Sequence, residues 1–224
     1  MDVSVIIVNY NTKQLTLNCI NSLFNYTKDI SFEVILIDNA SSDGSIETFR
    51  QDRRIIFIES KENLGFGKAN NLGCKYSKGK YIFLLNPDTY LLNNAIKIFF
   101  DTMEQMKDDT VFLGSLLFGK DGCYVNSYGD YVTIKALLIG TIYRLFSINP
   151  TNSYDKGIYP KNVRVIIGAD LFIKRKVIEI EGLFDERFFM YQEENDLQRR
   201  CNCKGYKSYI IKGPQIVHLE GKSS

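Results

Sequence analysis

Histidine is nearly missing from this sequence: there is one, His218, in 224 residues. Mechanisms that need a histidine pair, and metal centres built from several histidines, are excluded at once. Cysteine offers little more. Cys19, Cys74, Cys123, Cys201 and Cys203 are odd in number, scattered, and form no CxxC pair, so neither a zinc knuckle nor a thioredoxin motif is available. Such a set reads as reduced thiols of a cytosolic protein, not a secreted disulfide framework. An excess of one charge is missing too, with 28 Lys and Arg against 26 Asp and Glu, a net +2. Nothing pulls the chain toward nucleic acid, which is therefore not an expected partner. No run reaches the roughly 18 apolar residues of a spanning helix. Met1-Asp2-Val3-Ser4-Val5 also lacks the basic region and cleavage site of a signal peptide. A cytoplasmic protein is expected. With 45% hydrophobic and 24% charged residues, disorder, collagen and coiled coil are excluded. A chain of this length buries a core without a disulfide or metal staple.

What is present is an alternation of periods. Apolar β-branched runs at 3–8, 32–37, 55–58 and 80–85 read as strands. Between and after them, residues 13–26, 46–50, 65–76 and 94–106 carry helical apolar spacing. Strand and helix in turn mean an α/β fold with a mainly parallel sheet flanked by helices. Function in such sheets lies beyond the carboxyl ends of the strands. The second half is less regular. Strands are expected at 111–118, 123–126, 163–167 and 207–211, and helices at 174–180 and 194–203. With no repeat and no low-complexity linker, the chain reads as one domain of two parts, 1–110 and 111–224.

Four places carry candidate chemistry. Asp38-Asn39-Ala40-Ser41-Ser42-Asp43-Gly44-Ser45 follows a strand, where Asp38 is set to meet a base or ribose; an Asx or Ser turn gives the same composition. Asn86-Pro87-Asp88 delivers Asp88 past the strand at 80–85. A carboxylate there suits a hard cation that shares diphosphate oxygens, or caps the next helix. Glu193 and Glu194 stand among aromatics, which favours a raised pKa and general-base work. They start a helix on different faces, so one at most is expected in a cleft; a helix-dipole role is the plain alternative. His218, taken alone, reads as structural. Gly65-Phe66-Gly67 lacks the third glycine of a dinucleotide fingerprint.

In series these pieces are far more specific. Val5-Ile6-Ile7-Val8-Asn9-Tyr10-Asn11, the Asp38–Ser45 cluster, Asn63-Leu64-Gly65-Phe66-Gly67, Asn86-Pro87-Asp88, Gly168-Ala169, Gly182-Leu183-Phe184-Asp185-Glu186, Glu193-Glu194 and His218 follow one another in order. The chain resembles a family 2 glycosyltransferase of the GT-A fold, in the rhamnosyltransferase-like branch. The resemblance implies a Rossmann-like sheet and an inverting, metal-assisted single displacement from a nucleotide-diphosphate sugar. It implies Glu194 as the base. Donor-binding positions fall at Asn9, Tyr10, Asn11, Asp38, Asn63, Gly65, Asn70, Asn86 and Asp88. Asp88 and His218 would hold Mg²⁺ or Mn²⁺, and Gly168, Ala169, Asp170 and Glu193 would lie on the acceptor side. The implied donor is dTDP-rhamnose or a UDP-sugar, and the acceptor a glycan or lipid-linked glycan.

Two departures stand out: Asn86 replaces the first carboxylate of the family's DxD motif, and Glu194 stands where Asp is common. The first favours an alternative, an idle nucleotide-sugar-binding module of a glycan-assembly complex; the retained Asp88, Glu194 and His218 favour the enzyme. A sugar nucleotidyltransferase ranks last, for want of a Gly-rich basic loop to grip a triphosphate. The apolar stretch 131–148, with only Lys135 and Arg144 charged, leaves room for peripheral contact at the inner face of a cell membrane. A buried helix or lid fits it as well. Self-association is also open. Chains of this kind usually continue past the last motif, so a piece of a longer enzyme is expected.

Overall fold

The computed structural model describes residues 1–131 and 157–219. β1 (Val3–Asn9) is buried at every position, since β2 (Phe32–Asp38) and β4 (Tyr81–Leu85) flank it, both parallel. Its residues alternate between two cores: Val3, Val5 and Ile7 join one, Ile6 and Val8 the other. A strand covered on both faces needs apolar side chains on both, hence the continuous run. β3 (Ile56–Glu59) lies beyond β2.

β5 (Thr89–Leu91), β6 (Thr110–Ser115), β7 (Tyr128–Gly129), β8 (Lys161–Val163), β9 (Val165–Ile166), β10 (Asp170–Lys174), β11 (Lys207–Ile211) and β12 (Ile216–His218) complete the strands. The eight-stranded sheet has the order β3-β2-β1-β4-β10-β6-β11-β8. β6 and β11 are parallel, while β10 opposes both its neighbours and β8 opposes β11. The sheet is mainly parallel, as expected. β5 pairs with β12, and β7 with β9, in two small ladders.

Helices cover both faces. α1 (Lys13–Tyr26), α2 (Ser45–Arg50) and α4 (Ala95–Gln105) send Ile20, Phe49 and Phe99 into one core. α3 (Gly65–Tyr76), α5 (Arg175–Glu181) and α6 (Glu193–Asn202) send Ala69, Val177 and Leu197 into the other. Phe99 stacks on Phe172 of β10 at 5.4 Å and 10°. Truncating either ring to Ala costs about 3–5 kcal/mol.

The second half departs from expectation. Residues 123–126 form no strand; Tyr124 makes only an isolated bridge to Phe118. The run 163–167 is divided between β8 and β9. β10 is unexpected altogether, and it takes Lys174, assigned on spacing to the following helix. The stretch 131–148 lies outside the described residues except for Tyr131, whose hydroxyl accepts from Asn202 Nδ2 at 2.5 Å. Among the described residues no helix is long and apolar enough to cross a membrane.

Candidate active site

The parallel strands β1, β2 and β4 end at one edge, with Asn9, Asp38 and the turn at Asn86. β10 runs the other way, so its beginning, not its end, reaches that edge. Asp170 pairs with Leu85, and Asn86 N–H donates to Ala169 O at 3.0 Å. Strand polarity thus brings 168–170 beside 86–88.

At the end of β1 and β2 a polar network closes on itself. Asn9 Nδ2 donates to Asp38 Oδ2 at 2.6 Å and to Ser41 Oγ at 3.0 Å, and Ser41 N–H donates to Asp38 Oδ1 at 2.8 Å. Asn9 Oδ1 accepts from Thr12 and Thr16 hydroxyls at 2.9 and 2.7 Å. Asn11, at φ 53°, accepts from Ser42 N–H at 2.8 Å. Asp43 does not only serve its own helix: Oδ1 accepts from Ser45 N–H, and Oδ2 from Lys13 N–H at the start of α1. Asn9 and Asp38 are fully buried, and both Asp38 oxygens are engaged. These residues shape the loop, and the next residue along, Asn39, lines the cavity beside it.

That cavity has a volume of about 270 Å³. Val8, Tyr10, Asn39, Asn63, Gly65 and Phe66 line it from the first half, with Asn86 and Pro87; Ile167, Gly168, Ala169, Met190, Tyr191, Glu193, Glu194 and His218 line it from the second. Of the sequence-derived candidates, Tyr10, Asn63, Gly65, Asn86, Gly168, Ala169, Glu193, Glu194 and His218 are gathered here. Asn9, Asn11, Asp38, Asn70, Asp88 and Asp170 are not among the lining residues. Asn70 is buried in α3, its Nδ2 donating to Phe66 O at 3.0 Å. Asn39 was not singled out, although adjacent strand residues point opposite ways and the burial of Asp38 turns Asn39 toward the cavity. Its amide is fixed: Nδ2 donates to Asn63 Oδ1 at 2.7 Å, and Oδ1 accepts from Leu64 N–H at 2.9 Å.

Gly65 is required where it stands. At φ 76° a Cβ there would lie 2.1 Å from Phe189 O, and the close approach lets Phe66 N–H donate to that oxygen at 3.0 Å. The loop before α6 is strained in turn, with Tyr191 at φ 68° and Gln192 at φ 74°, a region that costs side chains about 1–2 kcal/mol. This backbone turns Glu193 and Glu194 into the same cavity, contrary to the expectation that only one would enter. Burial pushes Glu193 up to about 7, with a lesser contribution from the charge of Glu194. Burial raises Glu194 as well.

Asp88 and His218 are 130 positions apart in sequence, and β5 with β12 joins them. Thr89 pairs with His218, Leu219 N–H donates to Asp88 O at 3.0 Å, and His218 Nε2 stands 3.5 Å from Asp88 Oδ1. Among the described residues no three His, Cys, Asp or Glu side chains group to hold a metal. A cation here would have two protein ligands, a carboxylate oxygen and an imidazole nitrogen, which suits a hard ion completed by phosphate oxygens. Asp170, fully buried, accepts from Ser115 N–H and Oγ at 2.8 and 2.6 Å, and burial pushes it up to about 7.

Known proteins show the same architecture. The GT-A glycosyltransferase fold recurs in S. aureus TarS 1-349 bound to UDP-GlcNAc, with TM-score 0.68 and 17% identity over all of this chain and 60% of that one. GalNAc-T7 with UDP, GalNAc and Mn²⁺ aligns at TM-score 0.70 and 16% identity, over 99% of this chain and 45% of that one. In sequence, an uncharacterized glycosyltransferase of Methanocaldococcus jannaschii is 26% identical over 93% of this chain and 67% of its own length. The low-salt glycan biosynthesis hexosyltransferase of Haloferax volcanii is 28% identical over 86% of this chain and 59% of its own length. The dTDP-rhamnosyl transferase of Shigella flexneri is 23% identical over all of this chain and 71% of its own length. The chain therefore spans about three-fifths to seven-tenths of these three relatives. The profile of Glycosyl transferase family 2 matches residues 4–179, and with the fold and the cavity it assigns the chain: this protein belongs to glycosyltransferase family 2.

Proposed function

We propose that the chain moves a sugar from a nucleotide-diphosphate donor to a glycan or lipid-linked glycan acceptor, with inversion at the anomeric carbon. The observation that carries the reading is one cavity in which Glu194 and His218 share walls with Tyr10, Asn39 and Asn63. The Shigella relative's name favours dTDP-rhamnose as donor, and the TarS complex favours a UDP-sugar.

Glu194 acts as the general base. One of its oxygens takes the proton of the acceptor hydroxyl as that oxygen bonds to the anomeric carbon and the bond to the diphosphate breaks. Burial strengthens its hold on a proton, which suits a base near neutrality. One displacement needs no second carboxylate as nucleophile and inverts the centre. Asn39 and Asn63, locked to each other, present fixed amides to the donor, and the Asp38 network holds Tyr10 in place. Gly168, Ala169 and Glu193 line the acceptor side. Asp88 and His218 would hold Mg²⁺ or Mn²⁺, which supplies positive charge to the departing diphosphate.

The test is a thermal-shift panel of UDP- and dTDP-sugars with and without Mn²⁺, followed by donor hydrolysis. A ligand at 100 times its Kd stabilises by about 2.7 kcal/mol. No shift with any nucleotide-sugar sinks the proposal; a shift without any turnover leaves the idle binding module.

A further inference from the structure

Asp170 has a feature that a strut would not need. Its Oδ2 is fixed by both donors of Ser115, yet Oδ1 is buried with no hydrogen-bond partner among the described residues. An acceptor left unmade in this way is costly, so it calls for a donor. His218 has the matching deficit: Nδ1 is buried and without a partner, while Nε2 of the same ring faces Asp88. The two belong to one neighbourhood, because their strands flank the two ends of one short turn, at Leu85 and at Thr89.

Topology explains why they meet. The antiparallel register of β10 sets Asp170 opposite Leu85, one residue before Asn86, and β12 sets His218 opposite Thr89, one residue after Asp88. No ion pair joins Asp170 to His218 among the described residues, so a link between Oδ1 and Nδ1 would run through a bridging water, nearly as good as a direct hydrogen bond. Imidazoles that bind a metal through one nitrogen usually donate the other N–H to a carboxylate, carbonyl or water, which fixes tautomer and ring orientation.

We infer that Asp170 is a positioning residue for His218. Its Oδ1 accepts, through one water, the hydrogen of Nδ1, and so keeps Nε2 unprotonated and turned toward Asp88. This rests on the proposed role of Asp88 and His218 as cation ligands. It moves Asp170 from the acceptor side to the support of the metal pair, and it places a carboxylate behind a site where Asn86 supplies only an amide.

The single histidine makes the test direct, since histidine-selective ¹⁵N labelling gives one pair of ring-nitrogen signals for the whole chain. Metal-free protein at pH 8 is expected to show the Nδ1–H tautomer. In Asp170→Asn the side-chain oxygen keeps the Ser115 bonds and the amide NH₂ turns to the ring, so the Nε2–H tautomer takes over. Ser115→Ala leaves the Nδ1–H form in place. Dominance of Nε2–H in the wild type overturns the inference, whether or not the variant folds, as does an unchanged tautomer in a folded Asp170→Asn. Calorimetric titration of Mn²⁺ in the presence of UDP or dTDP gives the second reading. Asp170→Asn is expected to weaken the ion by about 10–100-fold, and equal affinity overturns the inference. Failure of the wild type to take up Mn²⁺ with either nucleotide sinks the metal reading instead, and the tautomer result stands apart from it.

Discussion

The two polar clusters at the carboxyl edge differ in how far they satisfy themselves. Around Asp38, each carboxylate oxygen has a donor inside the protein, and the donors Asn9 and Ser41 are bonded in turn. Around His218 and α6, Asp170 Oδ1, His218 Nδ1 and Glu193 Oε2 are buried with no hydrogen-bond partner among the described residues. The first cluster is closed by the fold itself, and the second leaves buried polar atoms open. A polar residue at a strand end is thus not by that fact a ligand contact.

Substitutions can break this contrast in graded steps. The largest effect is expected from Glu194→Gln: transfer falls by about 10³-fold, within the range for loss of a general base, while urea denaturation shows little change in stability. A variant with near-normal turnover removes Glu194 from the mechanism. Asp38→Ala is expected to do the reverse in kind. It takes one of two acceptors from the buried Asn9 amide, strands Ser41 N–H and costs about 3 kcal/mol in urea denaturation, with binding lost only as the loop collapses. An unaltered midpoint would mean the network does not hold the loop.

Glu193→Gln should separate the clusters by pH. Burial keeps the Glu193 proton on up to about 7, while the unfolded chain gives it up near the ordinary carboxyl value. The folded state therefore binds the extra proton in between, and stability falls as pH rises from about 4.5 to about 7. The glutamine variant is expected to be more stable than wild type by about 2 kcal/mol at pH 8 and equal to it at pH 4. The same pH profile in both proteins would refute the assignment. The smallest step is Ser41→Ala, which removes one node of the finished cluster and costs about 1 kcal/mol, read as a small drop in Tm with donor affinity kept.

Local pattern made the first half legible. The helices at Lys13–Tyr26 and Gly65–Tyr76 fall on the residues their apolar spacing marks, because each packs one stripe on a sheet that continuous β-branched runs already define. β10 escaped because five residues buried on both faces, ending in a lysine, show neither the alternation of a half-exposed strand nor a helical stripe. β5 and β12 are three residues each, too short for any period, yet they make the Asp88–His218 pair. The placement of Asn39 and Glu193 on the cavity rests on which way a strand end and a left-handed turn face, and local composition does not carry that. The motif order held the family; the antiparallel strand and the long-range ladder held the geometry.

The Phe66 N–H to Phe189 O bond ties the donor loop to the segment that leads into Glu194. Gly65 permits that tie and, having no side chain, leaves no slack in it. On the proposed roles, a shift of the loop as a donor settles would be handed on to the start of the helix that carries Glu194. Under that proposal, recognition of one substrate and aiming at the other would share a single clasp.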